Sequence, residues 1–335
     1  MSIDNESVVV DDGGYAAVTP WDELAWRREA LGWAVGELAR HGLRPTGDVR
    51  ARSRPWSVGM RMELQDGDAA WFKANPPASA FEAALNQALP AWAPAHVLEP
   101  LAVDTARAWS LLPDGGPLLR DVLDRDGGSR AWEESLSQYA QFQRETAPHT
   151  AELLALGVPD LRPERLAGQL SALIDSAVLS ADERAALRAL SSDVTSWCRT
   201  LTDSAVPATL DHSDLHEASV LTGGDRYAFF DWGDSAVAHP FSSLLVVEHA
   251  ARRRFGAVEA PAALARLRDA YLEPWTGHGH SAAELRDLAD LACRVGVVGR
   301  ADSWGRVFPG ALTSSTDTVS ASAEAVAHWL RELLR

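Results

Sequence analysis

Apolar and polar positions follow two different periods along this chain. Between Trp56 and Leu112 the apolar residues tend to alternate with polar ones, which predicts strands. Beyond Pro113 they recur every three to four positions, which predicts helices. The predicted strands are 56–64, 69–74, 97–103 and 107–112, with a turn at 65–68 and a helix over 78–89.

The first part of the chain predicts a tail followed by a helix. Residues 1–18 are predicted to be mobile. Thr19 and Pro20 are typical of a helix start, and the helix should end near His41-Gly42. Its expected apolar face carries Leu24, Leu31, Val35 and Leu38.

The second part predicts a mainly helical region with one interruption. Short strands are expected around Leu210, over 219–222 and over 227–230, with a turn at 223–225. The predicted helices are 118–123, 129–146, 163–173, 181–201, 241–255, 261–275, 282–298 and 320–334. The chain therefore predicts an α+β fold with two lobes, a small mixed-sheet lobe and a larger helical one.

The predicted domain organisation follows from this change of period. We expect a tail and helix over 1–45, a sheet-containing N-lobe over 46–113, and a mainly helical C-lobe over 114–335. Pro and Gly residues at 113–116 are typical of a hinge between lobes.

Net charge, apolar runs and cysteine content limit which partners and which location are expected for this protein. The 335 residues carry a net charge of −16, which disfavours nucleic-acid binding. Such a charge mainly serves solubility, and the alternative is that it steers a cationic small molecule to the protein. No apolar run is long enough to cross a membrane, and the acidic start does not resemble a signal peptide, so a cytoplasmic location is expected. Two cysteines, Cys198 and Cys293, predict neither disulfides nor a metal site.

Lysine usage singles out one position. Lys73 is the only lysine among 31 lysine and arginine residues. An ammonium is a compact point charge, whereas a guanidinium is a broad planar group. Lysine at this one predicted strand position therefore suggests a site where arginine cannot serve, although retention by chance on a solvated surface is the alternative.

Two acidic residues frame the interrupted region. Asp214 precedes the predicted hairpin and Asp231 follows it, so both should lie at the same end of the hairpin. Phosphoryl transfer from ATP needs one carboxylate to accept the proton of the attacking hydroxyl and another to hold Mg²⁺. A lysine paired with a helix glutamate should neutralise the phosphates, and Lys73 with Glu82 supplies that pair.

The same segments resemble the aminoglycoside phosphotransferase family of small-molecule kinases. Segment 212–221 reads His-Ser-Asp-Leu-His-Glu-Ala-Ser-Val-Leu and is similar to the family signature His-Gly-Asp-Leu-His-x-x-Asn followed by two apolar residues. Segment 230–233, Phe-Asp-Trp-Gly, resembles its metal motif, and 70–74 its lysine strand. The resemblance covers about 50–310, and segments 270–275 and 302–304 are similar to an actinobacterial branch of unassigned substrate.

This resemblance implies a kinase-like fold and a role for each matching residue. The implied roles are catalytic base for Asp214, Mg²⁺ ligand for Asp231, phosphate contact for Lys73 and its partner Glu82, and loop or supporting positions for His212 and His216. The nucleotide loop would fall near 52–57 in the phosphate-binding N-lobe, with Arg54 and Ser57 touching phosphate, and the C-lobe would carry the catalytic loop, the metal motif and the acceptor site. Apart from the resemblance, Asp234 could face a cationic substrate or merely cap the next segment. ATP and Mg²⁺ are the implied cofactors.

Two departures from the family pattern leave an alternative open. Ser219 stands where the family has a metal-binding asparagine, and Ala238-His239-Pro240 stands where it has Gly-Asp-Pro. A serine hydroxyl can bind Mg²⁺, but its reach is shorter. The chain is therefore predicted to phosphorylate a hydroxyl of an amino sugar, aminocyclitol, sugar or natural-product intermediate, or to be a catalytically impaired nucleotide-binding scaffold.

A third interpretation rests on different chemistry. His212, Asp214 and His216 at alternate positions, with Asp231 and His239, could form a transition-metal hydrolase site. That hypothesis leaves the lysine-bearing sheet without a purpose. No motif identifies the acceptor, whose site is expected among 120–205 and 240–310.

Overall fold

The structure is a computed structural model that describes residues 8–15, 19–223, 226–277, 279–307 and 316–335. The chain divides into two compact units. Unit 1 comprises Met1–Pro90, Leu98–Asp114 and Gly305–Ser322, and unit 2 comprises Ala91–Val97, Gly115–Trp304 and Ala323–Arg335. Within the described ranges, no helix is long and apolar enough to cross a bilayer.

Unit 1 is built on a six-stranded sheet. Its elements are β1 (Val8–Asp11), α1 (Leu24–Arg40), β2 (Pro45–Arg54), β3 (Ser57–Leu64), β4 (Ala69–Ala74), the start of α2 (Phe81–Trp92), β5 (Ala102–Asp104) and β6 (Trp109–Pro113). The strand order is β1-β2-β3-β4-β6-β5, and every pairing is antiparallel except β1 with β2.

One face of this sheet forms the core of unit 1. Alternate residues of β3 are buried, which is the period expected of a strand with one covered face. Phe72 of β4 packs edge-on against Trp33 of α1 and Trp109 of β6. Because Phe72 points into this core, its neighbour Lys73 points to the opposite face.

Two strands of unit 1 were not predicted. β1 lies within the predicted mobile tail and pairs in parallel with β2 through Val8 and Val49. β2 alternates small buried residues with exposed arginines, a pattern too weakly apolar to identify from sequence. On the predicted apolar face of α1, Leu31 and Leu38 are buried as expected, but Leu24, the first residue of the helix, is exposed.

Unit 2 is mainly helical. It contains all or most of α3 (Leu119–Asp126), α4 (Arg130–Thr146), α5 (Thr150–Ala155), α6 (Pro163–Ser176), α7 (Ala181–Ala189), α8 (Ser191–Asp203), β7 (Thr209–Asp211), β8 (Val220–Gly223), β9 (Arg226–Phe229), β10 (Ala236–Ala238), α9 (Leu244–Leu272), α10 (Ala282–Val307) and α11 (Thr316–Glu332). β7 pairs with β10, and β8 pairs with β9, both antiparallel.

Two of the predicted helix boundaries in unit 2 differ from those in the structure. The predicted helix 181–201 is two helices, α7 and α8, which meet at Leu190. The predicted helices 241–255 and 261–275 form one element, α9, interrupted at Gly256, whose φ of 66° and ψ of 177° are not helical. Part of the predicted turn 223–225 lies outside the described residues.

Candidate functional site

The segment that follows β7 carries the first acidic candidate of unit 2. Ser213 has a left-handed backbone, with φ of 59°, which few residues other than glycine adopt easily. Two hydrogen bonds to the buried Asp211 carboxylate hold it there, one from the Ser213 amide (3.1 Å) and one from its hydroxyl (3.3 Å). The chain reverses at this point and leaves Asp214 34% exposed.

A network of buried polar side chains holds this segment in place. The Ser243 hydroxyl donates to Asp211 at 2.5 Å, and the Tyr139 hydroxyl accepts from the His212 amide at 2.9 Å. Burial raises the pKa of the Asp211 carboxyl, and the hydrogen bonds from Ser243 and Ser213 partly offset that rise. Because buried polar groups are costly unless they are paired, this network fixes a single backbone path for the segment.

The β8–β9 hairpin brings Asp231 back to the same segment. Phe230 makes two contacts there: its amide donates to the Ser219 carbonyl at 3.3 Å, and its carbonyl lies 2.8 Å from His212 Nε2. Asp231 follows at once with a left-handed backbone, φ 69° and ψ 59°, and is exposed. The start and end of the hairpin are therefore joined.

The two histidines of the segment brace it. His212 is buried, and its Nε2 bonds the Phe230 carbonyl. His216 Nδ1 accepts from the Ala218 amide at 3.1 Å, so its Nε2 carries the proton of the neutral ring and lies 3.7 Å from Asp214 Oδ2. Burial lowers the pKa of His216, while nearby carboxylates, among them Asp214 and Asp231, oppose that fall.

Ser219 has a bracing position in the segment. Its hydroxyl accepts from the His216 amide at 3.0 Å and lies 2.9 Å from the His216 carbonyl and 3.3 Å from the Asp214 carbonyl. The side chain is buried. Because these contacts already occupy the hydroxyl, a metal-ligand role for Ser219 stays a prediction that would require the side chain to exchange partners.

Arg300 is the residue that the sequence interpretation missed. It lies on α10, and its guanidinium contacts Asp214 Oδ1 at 2.6 Å and Asp234 Oδ1 at 3.0 Å. Burial acts to lower the pKa of Arg300, but the carboxylates of Asp214 and Asp234 raise it above its ordinary value. A signal was present, because an arginine within the apolar run 295–301 predicts a buried and paired charge.

Unit 1 holds the predicted lysine–glutamate pair. Lys73 lies between Gly59 of β3 and Ser110 of β6, and its Nζ contacts Glu82 Oε1 at 2.7 Å. The side chains are 17% and 1% exposed, and Asn75 also donates to Glu82. A carboxylate this buried needs such partners, so Glu82 holds the ammonium in a fixed position.

The two predicted phosphate contacts of the N-lobe occupy the β2–β3 turn. Arg54 and Ser57 face each other across this hairpin. The Arg54 guanidinium already contacts Asp11, with 2.9 Å to its carboxylate and 2.8 Å to its carbonyl. Phosphate binding by Arg54 would therefore compete with β1, whereas Ser57 lies at the start of β3, next to the turn.

The transition-metal interpretation receives no support from the described part of the chain. No group of three or more histidine, cysteine or acidic side chains there is arranged to hold a metal ion. His239, one of the proposed ligands, is buried and accepts a hydrogen bond from the Phe241 amide through Nδ1. Cys198 and Cys293 are separate buried thiols.

Comparison with known proteins identifies the fold. No family model and no curated protein matches the sequence. Among solved structures, the macrolide 2′-phosphotransferase MphH of Brachybacterium faecium matches with 18% identity, a TM-score of 0.53, and coverage of 89% of this chain and 98% of its own. A GDP complex of an aminoglycoside 2′-phosphotransferase IIIa variant matches with 14% identity, a TM-score of 0.58, and coverage of 91% and 98%.

A third match is more distant in sequence. The amicoumacin kinase hAmiN, in complex with AMP-PNP, Ca²⁺ and amicoumacin, has 9% identity, a TM-score of 0.54, and coverage of 85% of this chain and 88% of its own. At these identities the likeness concerns the fold. The predicted kinase-like α+β fold class is therefore confirmed, and it is the fold of small-molecule phosphotransferases.

Proposed function

We propose that this protein is an ATP-dependent phosphotransferase that phosphorylates a hydroxyl group of a small molecule. The observation that carries the proposal is the junction at which the β8–β9 hairpin brings Asp231 to the segment bearing Asp214. The Lys73–Glu82 ion pair of unit 1 supports it independently. Neighbours with the same fold include structures with bound GDP or AMP-PNP.

Asp214 is assigned the role of base. The acceptor oxygen attacks the γ-phosphorus, the bond from that phosphorus to the β-phosphate oxygen breaks, ADP leaves, and the hydroxyl proton passes to Asp214. Asp214 Oδ1 is bound to Arg300, whereas Oδ2 lies on the side of the His216 ring, 3.7 Å from its Nε2. We therefore assign proton acceptance to Oδ2.

Asp231 is assigned to the metal that accompanies the nucleotide. Its carboxylate is an exposed oxygen donor, the ligand type that Mg²⁺ prefers. Bound Mg²⁺ would neutralise charge on the β- and γ-phosphates. Asp231 has a left-handed backbone directly after the hairpin, and the Ser219 hydroxyl, which accepts from the His216 amide, braces the segment before it.

Lys73 is assigned to the nucleotide phosphates, with Glu82 as the residue that positions it. Ser57 is the stronger of the two turn candidates because Arg54 is engaged by Asp11. The acceptor is proposed to be a small hydroxyl compound bound by helices of unit 2, and the reaction is proposed to take place in the cytoplasm, where ATP and Mg²⁺ are supplied.

The first test is calorimetric titration of ATP into the protein with and without Mg²⁺, alongside Asp231→Asn. Asparagine tolerates the left-handed backbone, so this variant removes the charge without straining the fold. We expect Mg²⁺-dependent binding by the native protein and a loss of about tenfold or more in affinity for the variant. Equal binding by both proteins would contradict the assignment of Asp231.

A second candidate function is nucleotide binding without turnover. The Ser219 hydroxyl, which is occupied by contacts within its own segment, favours it. Asp214→Asn separates the two candidates. For a phosphotransferase this variant should keep nucleotide affinity and lose about 10²- to 10⁴-fold in rate. For a scaffold neither quantity should change.

A further inference from the structure

Arg300 has an unusually fixed position for an arginine beside an active-site carboxylate. It is 6% exposed and contacts Asp214 and Asp234 at the same time. Its guanidinium lies 5.5 Å from the ring of Trp304 and 5.9 Å from that of Trp329. Carboxylates and aromatic faces are the two groups that bind a guanidinium best, so the site is complementary to this cation.

The pairing orients Asp214. A charge-assisted hydrogen bond of 2.6 Å to Oδ1 restricts the rotamer of the carboxylate, whose side chain is 34% exposed, and leaves Oδ2 outside this bond. A base is effective only when its oxygen lies within hydrogen-bond reach of the acceptor hydroxyl. Arg300 therefore acts through Asp214 as a positioning residue.

The pairing also changes the charge that an acceptor meets. Asp234 was predicted to bind a cationic substrate, but its Oδ1 contacts Arg300. Two neighbouring carboxylates would otherwise attract an ammonium or guanidinium group. With Arg300 between them, a second cation would meet a fixed positive charge in a poorly solvated position, where like charges repel strongly.

We propose that Arg300 is a built-in cation that positions Asp214 and occupies the place between Asp214 and Asp234 that an ammonium group of the acceptor would otherwise take. This inference rests on the proposed phosphotransferase function. It places any cationic group of the acceptor outside this pair of carboxylates, an expectation based on contacts at Asp214 rather than on net charge.

Guanidinium rescue tests the positioning role. Arg300→Ala should hydrolyse Mg·ATP about 100-fold more slowly than the native protein, because the base is no longer held in place. Guanidinium chloride at low millimolar concentration should restore much of that rate by entering the vacated space. Sodium chloride at the same ionic strength should not. Absence of any selective recovery would overturn the positioning role.

Arg268 provides a matched control. It is also paired with two acids, Glu248 and Asp290, within unit 2, and in the described part of the chain neither of these partners belongs to the candidate site. Arg268→Ala should lower stability and leave the hydrolysis rate insensitive to guanidinium. Arg300→Lys keeps the charge without the planar fork and should fall between the native protein and Arg300→Ala, which guards against a variant that simply misfolds.

Glucosamine and glucose test the exclusion of cations, since they differ by one ammonium group in place of a hydroxyl. Calorimetry should show that the native protein binds glucosamine no better than glucose. Arg300→Ala should gain glucosamine affinity by about tenfold or more, and Arg300→Ala combined with Asp234→Asn should lose that gain. A native preference for glucosamine that depends on Asp234 would overturn the proposal.

Failure of the inference and failure of the proposed function give different results. A native protein that turns over Mg·ATP, with an Arg300→Ala variant that responds to neither guanidinium nor glucosamine, rejects only the role of Arg300. A native protein that neither binds nor hydrolyses Mg·ATP rejects the proposed function. Calorimetric binding of guanidinium to Arg300→Ala, lost with Asp234→Asn, would then decide whether a cation site exists between the two acids.

Discussion

At the scale of single residues, Lys73 shows how a composition signal and a structural position agree. It is the only lysine in the sequence, and it sits on β4 in contact with the nearly inaccessible Glu82. The chance-retention alternative predicted a solvated surface position, whereas the side chain is mostly buried. An ammonium fits this position as a compact point charge.

We expect Lys73→Arg to lower Mg·ATP turnover by about 10- to 100-fold, because the larger guanidinium cannot occupy the same point. The reciprocal control is Arg61→Lys on the neighbouring strand β3, where the arginine pairs with Glu63 and is partly exposed. That variant should keep the native rate. Steady-state kinetics of the three proteins measure the difference, and equal rates for Lys73→Arg and the native protein would remove Lys73 from the site.

At the scale of elements, backbone conformation decides where segments end. Ser213 and Asp231 both adopt left-handed conformations at the two ends of the β7-to-β9 region, and neither is glycine. Gly256 also has a positive φ within α9, and its combination of φ 66° and ψ 177° is one that glycine adopts almost exclusively. The interruption of α9 is therefore fixed by one residue rather than by Pro261, which lies further along the helix.

Gly256→Ala should destabilise the protein by about 1–3 kcal/mol, because the backbone conformation is strained for any residue with a Cβ. Nothing lies within 4 Å of that added atom, so the cost is conformational rather than steric crowding. Gly168→Ala is the matched control: it lies on an exposed part of α6, also without close neighbours, and should stabilise by about 0.5–1 kcal/mol. Urea unfolding of both variants should show opposite signs.

At the scale of the whole molecule, buried histidines limit stability in acid. His239 is fully enclosed, and burial lowers its pKa from 6.5 to about 3. As the pH falls below 6.5, the unfolded chain binds a proton at this ring while the folded protein does not. The stability contributed by the neutral ring is therefore present above pH 6.5 and lost as the pH falls toward 3.

His239→Asn should reduce this acid sensitivity. Asparagine can still accept a hydrogen bond from the Phe241 amide but does not titrate. Between pH 6.5 and 4 the native free energy of unfolding should fall more steeply than that of the variant, by up to about 1.4 kcal/mol per pH unit. Denaturant unfolding across that range measures it. Equal slopes for the two proteins would contradict the prediction.

Prediction from sequence succeeded where one local pattern carries enough information. The period of apolar residues located β3, β4 and most helices, because one face of each is buried. It missed β2, whose buried positions hold small residues, and β1, which is four residues long and is defined by its partner strand. The hairpin with Asp214 and Asp231 was found because strand pairing joins positions close in sequence.

The sequence by itself determined the α+β class, the acids around the hairpin and the lysine with its glutamate. Each depends on residues at short, regular separations. Only the tertiary structure decided which partners the side chains of those residues contact. Arg300 lies 86 positions from Asp214 and meets it because α10 packs beside the segment that carries Asp214. Contacts between residues so far apart in sequence depend on how helices pack, which no local pattern encodes. This contact places a positive charge beside the carboxylates of Asp214 and Asp234.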